Sequence, residues 1–173
     1  MKKVIGITGG VGAGKSTVLN ILSEDYKAEI ILTDQVAHEL MKPETACYAQ
    51  LVDALGKEVL AEDGTFDKAK LSNRLFGDKE IVVTVNGIVH PAVKEAVRQQ
   101  IESSSNHLIV VESALLIEAG FKSLCDEIWY VSADEKIRFD RLKKSRGYSA
   151  EKTESIMKNQ MKDAEFRSRC DFI

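Results

Sequence analysis

Residues 9–16 read Gly-Gly-Val-Gly-Ala-Gly-Lys-Ser, a full match to G-x-x-x-x-G-K-[S/T]. Few folds accommodate such a segment. The residues before it, KVIGIT at 3–8, are apolar and β-branched, which predicts a strand. Those after it, 15–26, carry Val18, Leu19, Ile21 and Leu22 at helical spacing. The order is therefore strand, tight glycine loop, helix. Glycine backbones in such a loop can converge several N–H groups on phosphate oxygens, and the helix N-terminus adds partial positive charge. Gly10, Val11, Gly12, Ala13 and Gly14 are the expected cradle for the phosphates of ATP. Lys15 is expected to reach the outer phosphates and Ser16 to offer its hydroxyl to Mg²⁺, with Thr17 continuing the helix beside them.

The rest of the chain supports a parallel sheet. AEIILT at 28–33, HLIVVE at 107–112 and EIWYVS at 127–132 read as further strands. Helical patterns lie between them, and strands alternating with helices imply an α/β fold whose mostly parallel sheet is covered on both faces. Residues 44–105 hold few strand signals. IVVTV at 81–85 is β-branched but read as helix, and a long helix is expected to start at Pro91, a first-turn position. ALLIEAG at 114–120 reads as a turn into a short helix. DEKIRFDRLKKSR forms one late helix, and residues 149–169 form a second, capped by Ser149. CDFI at 170–173 has the character of a last strand.

At 173 residues the chain can bury a core without staples. Its three cysteines, Cys47, Cys125 and Cys170, are scattered, which argues against a disulfide framework or a zinc site and for a reducing, cytoplasmic setting. A net charge of -3 with both signs interspersed excludes the basic footprint of a nucleic-acid binder. No apolar run is long enough to span a membrane. A polyanionic ligand would need a local basic site, and the oligomeric state is left open.

A phosphate loop serves GTPases, motor-like ATPases and kinases alike. No Asn-Lys-x-Asp base-reading run occurs, which argues against a GTPase. Asp34 follows the second strand, where strand carboxyl ends face a ligand crevice. It can serve as a base toward a hydroxyl or simply cap the next helix. Glu112 ends the third strand and is a candidate for holding Mg²⁺ or its waters; the alternative is a solvated residue at a strand end. Arg138, Arg141, Lys143, Lys144 and Arg146 make a basic helix end that suits a phosphate-closing lid or a solvated charged face. His90 is a structural residue or a substrate contact.

GITGGVGAGKST, ILTDQVAHEL, LGKEVLAEDGTFDKAKLSNRLF, IVHPAV, ALLIEAG and RLKKSRGYSAEKTESIMKNQM, in that order, resemble the dephospho-coenzyme A kinase family over nearly the whole chain. The resemblance implies a P-loop nucleoside-triphosphate hydrolase-like three-layer sandwich with a helical substrate-binding insertion and a helical lid. Its subregions would be a nucleotide core at 1–43 and 106–134, a substrate subdomain at 44–105 and lid helices at 135–168. It implies an ATP-dependent kinase acting on the ribose 3′-hydroxyl of dephospho-coenzyme A, with a small-molecule partner and Mg²⁺. By position Asp34 is the candidate base. Thr8, Lys15 and Arg146 fall around the phosphates, with Arg141 beside them, and the region of His90 belongs to the substrate part. Three departures stand out. Leu32 replaces the first aspartate of a family pair, Glu112 replaces an aspartate, and Arg141 and Arg146 lie one residue further apart than the family pattern. Family members also continue past the last residues here with an Asp-Asn-Gly stretch. The same loop on other scaffolds serves nucleoside or nucleotide monophosphate kinases, or a nucleotide-binding regulatory module.

Overall fold

A computed structural model describes residues 2–173, which fold as two units: residues up to Leu32 with Ser103–Ile173, and Thr33–Glu102. In the first unit, β1 (Lys3–Thr8), β2 (Glu29–Leu32), β3 (Leu108–Glu112) and β4 (Glu127–Tyr130) form one sheet in the order β2-β3-β1-β4. Every pairing is parallel. Ile109, Val110 and Val111 of β3 are fully buried, as a continuous apolar run flanked by strands and covered on both faces should be. Helix α1 (Lys15–Glu24) packs Leu22, with Val18 and Leu19, onto Ile5, Ile7 and Val110. Fully burying Ile7 alone contributes about 1.5–3 kcal/mol.

The strand order positions the loop. From β1 the chain moves to β2 on one side, and from β3 it moves to β4 on the other. The carboxyl ends of β1 and β3 therefore flank a topological switch point, where open α/β sheets hold ligands. Register places Glu112 opposite Ile7 of β1 and Leu32 of β2. The expected last strand is a single parallel bridge, Trp129 to Phe172. Tyr130 N–H donates to Phe172 O at 2.8 Å and Asp171 N–H to Ile128 O at 2.8 Å.

Beyond β4, the first unit carries α6 (Glu135–Arg146), α7 (Ala150–Lys158) and α8 (Asp163–Arg169). Ser149 caps α7 as expected, accepting from Lys152 N–H at 3.2 Å. The single helix expected over 149–169 is instead broken at 159–162. The break turns Asp163 back to the end of β4, where its carboxylate accepts from Tyr130 Oη at 2.8 Å. Phe166 then stacks on the Tyr130 ring with centroids 4.6 Å apart. Residues 114–120 form turns rather than a turn and a helix, and a short 3₁₀ segment follows at Phe121–Leu124.

The second unit is helical: α2 (Thr33–Leu40), α3 (Ala46–Leu55), α4 (Lys68–Leu75) and most of α5 (Lys79–Ser103). Thr45 caps α3 by accepting from Tyr48 N–H, and Asp67 caps α4 by accepting from Ala69 and Lys70 N–H. Cys47, Leu51, Leu55 and Val59 form its core, packed by Phe66, Leu71, Ile81, Val85, Ile88, Val89 and Ala92. Residues 81–85 are helical as expected, because 81, 85, 88, 89 and 92 recur at helical rather than strand spacing. The helix does not start at Pro91. It starts at Lys79 and runs through Pro91. The proline removes one N–H donor, yet Ile88, Val89 and Ala92 on either side of it are anchored in the core, and packing outweighs the lost bond.

Candidate active site

The loop after β1 closes on α1 through Gly14, whose φ of 109° suits glycine and few other residues. Ala13 N–H donates to Gly10 O at 3.2 Å and Thr17 N–H to Gly14 O at 3.0 Å, so the segment is a folded loop entering a helix. Lys15 Nζ donates to Gly9 O at 2.8 Å and stands 3.6 Å from Glu112 Oε1. Both side chains are about 15% exposed, so the ammonium and carboxylate are mostly shielded from solvent at the carboxyl ends of β1 and β3. Ser16 and Thr17 face solvent in the first turn of α1. Thr8, the last residue of β1, is fully buried, and among the described residues its hydroxyl has no hydrogen-bond partner.

Helix α6 grips the loop. Arg138 Nε donates to Val11 O at 2.9 Å, and Arg138 Nη2 donates to Gln160 Oε1 at 2.9 Å. Gln160 Oε1 also accepts from Val11 N–H at 3.2 Å. Arg141 Nη1 donates to Gly12 O at 3.3 Å and Ala13 O at 3.0 Å. Arg146 does not join them. It lies in the last turn of α6 with its guanidinium 5.9 Å from the Tyr148 ring centre, which Lys152 Nζ approaches to 4.1 Å. Arg138 and Gln160 also border an open cavity of about 580 Å³ lined by the end of β4 and helices α6–α8. On its wall the hydrogen bond from Arg167, then that from Tyr130, holds the Asp163 carboxyl below its ordinary range. Burial, then the bond to Asp163, pushes the Tyr130 phenol up.

Two candidates belong to the second unit. Asp34 is exposed in the first turn of α2, two residues beyond the end of β2, and His90 is half-buried in α5. In the sequence Arg138 stands out only as one of a basic cluster, and Gln160 carries no local signal of its contact with the loop. A signal for the helix break was present: Asp163 and Glu165 lie in a first turn, where acids mark a helix start.

The sequence model of the dephospho-CoA kinase family matches residues 3–173. The chain belongs to the dephospho-CoA kinase family. The dephospho-CoA kinase of Carboxydothermus hydrogenoformans is 39% identical over 161 residues, 91% of this chain and 78% of the relative. Among solved structures, TT1252 from Thermus thermophilus superposes with a TM-score of 0.85 at 26% identity, covering 99% of this chain and 86% of that one. A shikimate kinase from Bacteroides thetaiotaomicron, 14% identical, has a TM-score of 0.57 over 99% of this chain and 85% of its own, and shares the fold. The chain is thus an ATP-dependent kinase of this family on a mostly parallel α/β sheet. Among the described residues no cluster of three or more His, Cys, Asp or Glu could hold a metal, and no helix is long and apolar enough to cross a membrane. The oxygen donors at the loop, the Ser16 hydroxyl and Glu112 carboxylate, fit Mg²⁺, a hard cation that takes one or two protein ligands plus phosphate and water.

Proposed function

We propose that this chain transfers the γ-phosphate of ATP to the ribose 3′-hydroxyl of dephospho-CoA, the last step of coenzyme A biosynthesis. The observation that carries the reading is the family match over residues 3–173 together with a complete phosphate loop whose lysine faces a strand-end carboxylate. In this reading Lys15 and the loop at residues 10–17, with the N–H groups of Gly12 and Gly14 among its donors, hold the ATP phosphates. Lys15 exchanges its present partner, Gly9 O, for phosphate oxygens. Ser16, with Glu112 behind it, holds Mg²⁺, which when bound neutralises charge on the phosphates. Asp34 orients the acceptor hydroxyl and takes its proton, and His90 belongs to the acceptor-binding part, residues 44–105. Residues 135–168 act as the lid, with Arg141 and Arg146 directed at the transferring phosphate. Thr8 sits beneath the loop, and residues 1–43 and 106–134 form the core. Lid closure excludes water, which would otherwise intercept the phosphoryl group.

The test is ADP release with Mg·ATP and, in parallel, dephospho-CoA, adenosine and AMP. Selective turnover with dephospho-CoA is expected. Turnover with adenosine or AMP alone would keep a kinase and overturn this acceptor. Binding of ATP without any phosphorylated product would favour a regulatory module.

A further inference from the structure

Three successive loop carbonyls, those of Val11, Gly12 and Ala13, accept from arginines of one helix. All peptide bonds described are trans. In a planar trans peptide the C=O of one residue and the N–H of the next point to opposite sides. Holding the oxygens of Val11, Gly12 and Ala13 against α6 therefore turns the N–H groups of Gly12, Ala13 and Gly14 away from it. The Ala13 N–H is used inside the loop, on Gly10 O. Those of Gly12 and Gly14 are aimed at the side opposite α6.

Gln160 completes the device. Its one oxygen accepts from Arg138 Nη2 and from Val11 N–H, so it fixes the guanidinium and also the peptide before the one that Arg138 grips. Both peptides that meet at Val11 are thus fixed in rotation by side chains from α6 and from the α7–α8 junction. A guanidinium suits this role because its planar fork donates in two fixed directions at once, here to Val11 O and to Gln160.

We propose that Arg138 and Gln160 are positioning residues that aim the phosphate-loop amides at the nucleotide from behind, without touching it themselves. The inference rests on the reading of this loop as the ATP site. It accounts for two side chains that hydrogen-bond to the loop backbone and to each other, and for the bend between α7 and α8 that brings Gln160 to the loop.

The test uses the full chain with Arg138→Met, Arg138→Lys and Gln160→Met. The readouts are ATP dissociation by calorimetry, KM for each substrate, and the unfolding midpoint without nucleotide. Loss of a charged hydrogen bond to the loop should weaken ATP binding about tenfold or more in Arg138→Met, while KM for dephospho-CoA stays within about twofold. Arg138→Lys should not restore ATP affinity, because a point charge lacks the fork. Gln160→Met should act in the same direction but less, and the double variant should be weaker by less than the product of the two. Gln160→Met is the variant to read if Arg138→Met unfolds. A purely structural role predicts a lowered midpoint with unchanged ATP affinity in the folded variants, and that result overturns the inference. So does ATP binding by Arg138→Met and Gln160→Met as tight as by the parent chain. A parent chain that binds no ATP would overturn the nucleotide reading itself, and this inference with it.

Discussion

Gly10→Ala tests the contact between α6 and the loop by adding one methyl group. A Cβ built at residue 10 falls 2.6 Å from Arg138 Cζ and 2.9 Å from Nη1, with Nη2 nearer still. The residue 10 backbone lies outside the left-handed region, so the obstacle is the guanidinium and not φ. The arginine must withdraw, and with it go the bonds from Nε to Val11 O and from Nη2 to Gln160 Oε1. Charged hydrogen bonds contribute about 1.5–3 kcal/mol when enclosed. Arg138 is half-buried and regains water on withdrawal, so the pair together should cost about 1–2 kcal/mol. That corresponds to a fall in midpoint of about 2–8 °C for a chain this size. With Arg138→Ala already in place, the methyl has lost its three nearest neighbours. There Gly10→Ala should be neutral, or stabilising by about 0.4–1 kcal/mol through the unfolded chain. The assay is thermal or urea unfolding of the parent, both single variants and the double. Equal cost of Gly10→Ala in both backgrounds would refute the reasoning, because it would mean that the glycine is required by something other than Arg138.

Three further outcomes are expected. Asp34→Asn should lower kcat with dephospho-CoA about a hundredfold or more while ATP affinity by calorimetry is unchanged; near-normal turnover would remove Asp34 from the role of base. Burial, with Asp126 adding to it, pushes the Cys125 thiol up to about 12. Iodoacetamide near neutral pH should therefore modify Cys125 more slowly in the folded chain than after denaturation, and equally fast labelling of both would contradict the raised thiol. Asp163 has a folded pKa below its ordinary 3.8, so its contribution is present above that pH and lost as pH falls further. Asp163→Asn should be less stable than the parent near neutrality, and the two should converge in urea melts run below pH 3.8; a gap that persists in acid would rule out the carboxylate as the cause.

Much of the nucleotide half was legible because its signals are local. The glycine loop requires a strand before it and a helix after it, and β1 and β3 are continuous apolar runs whose ends place Thr8 and Glu112. The helix through Pro91 was not legible. A proline after a histidine reads as a start, and only the anchoring of Ile88, Val89 and Ala92 in one core shows that the helix continues. The break at 159–162 was marked in the sequence only by the acids Asp163 and Glu165, inside a stretch with many helix formers, and the tertiary bond from Tyr130 to Asp163 that holds it is not a local signal. The same holds for Arg138. A basic helix end predicts a charge near phosphate, but the structure shows this arginine spent on a loop carbonyl, which depends on where α6 lies and not on its composition. Arg146, given a phosphate role from resemblance, rests over Tyr148 in this structure.

The most direct measurement of the central claim is phosphorus NMR of the product formed from Mg·ATP and dephospho-CoA. One new phosphomonoester on the ribose 3′-oxygen is expected, formed in step with ADP and absent when Lys15 is replaced by Met. ADP accumulating with inorganic phosphate, or a phosphate appearing elsewhere on the acceptor, would contradict it.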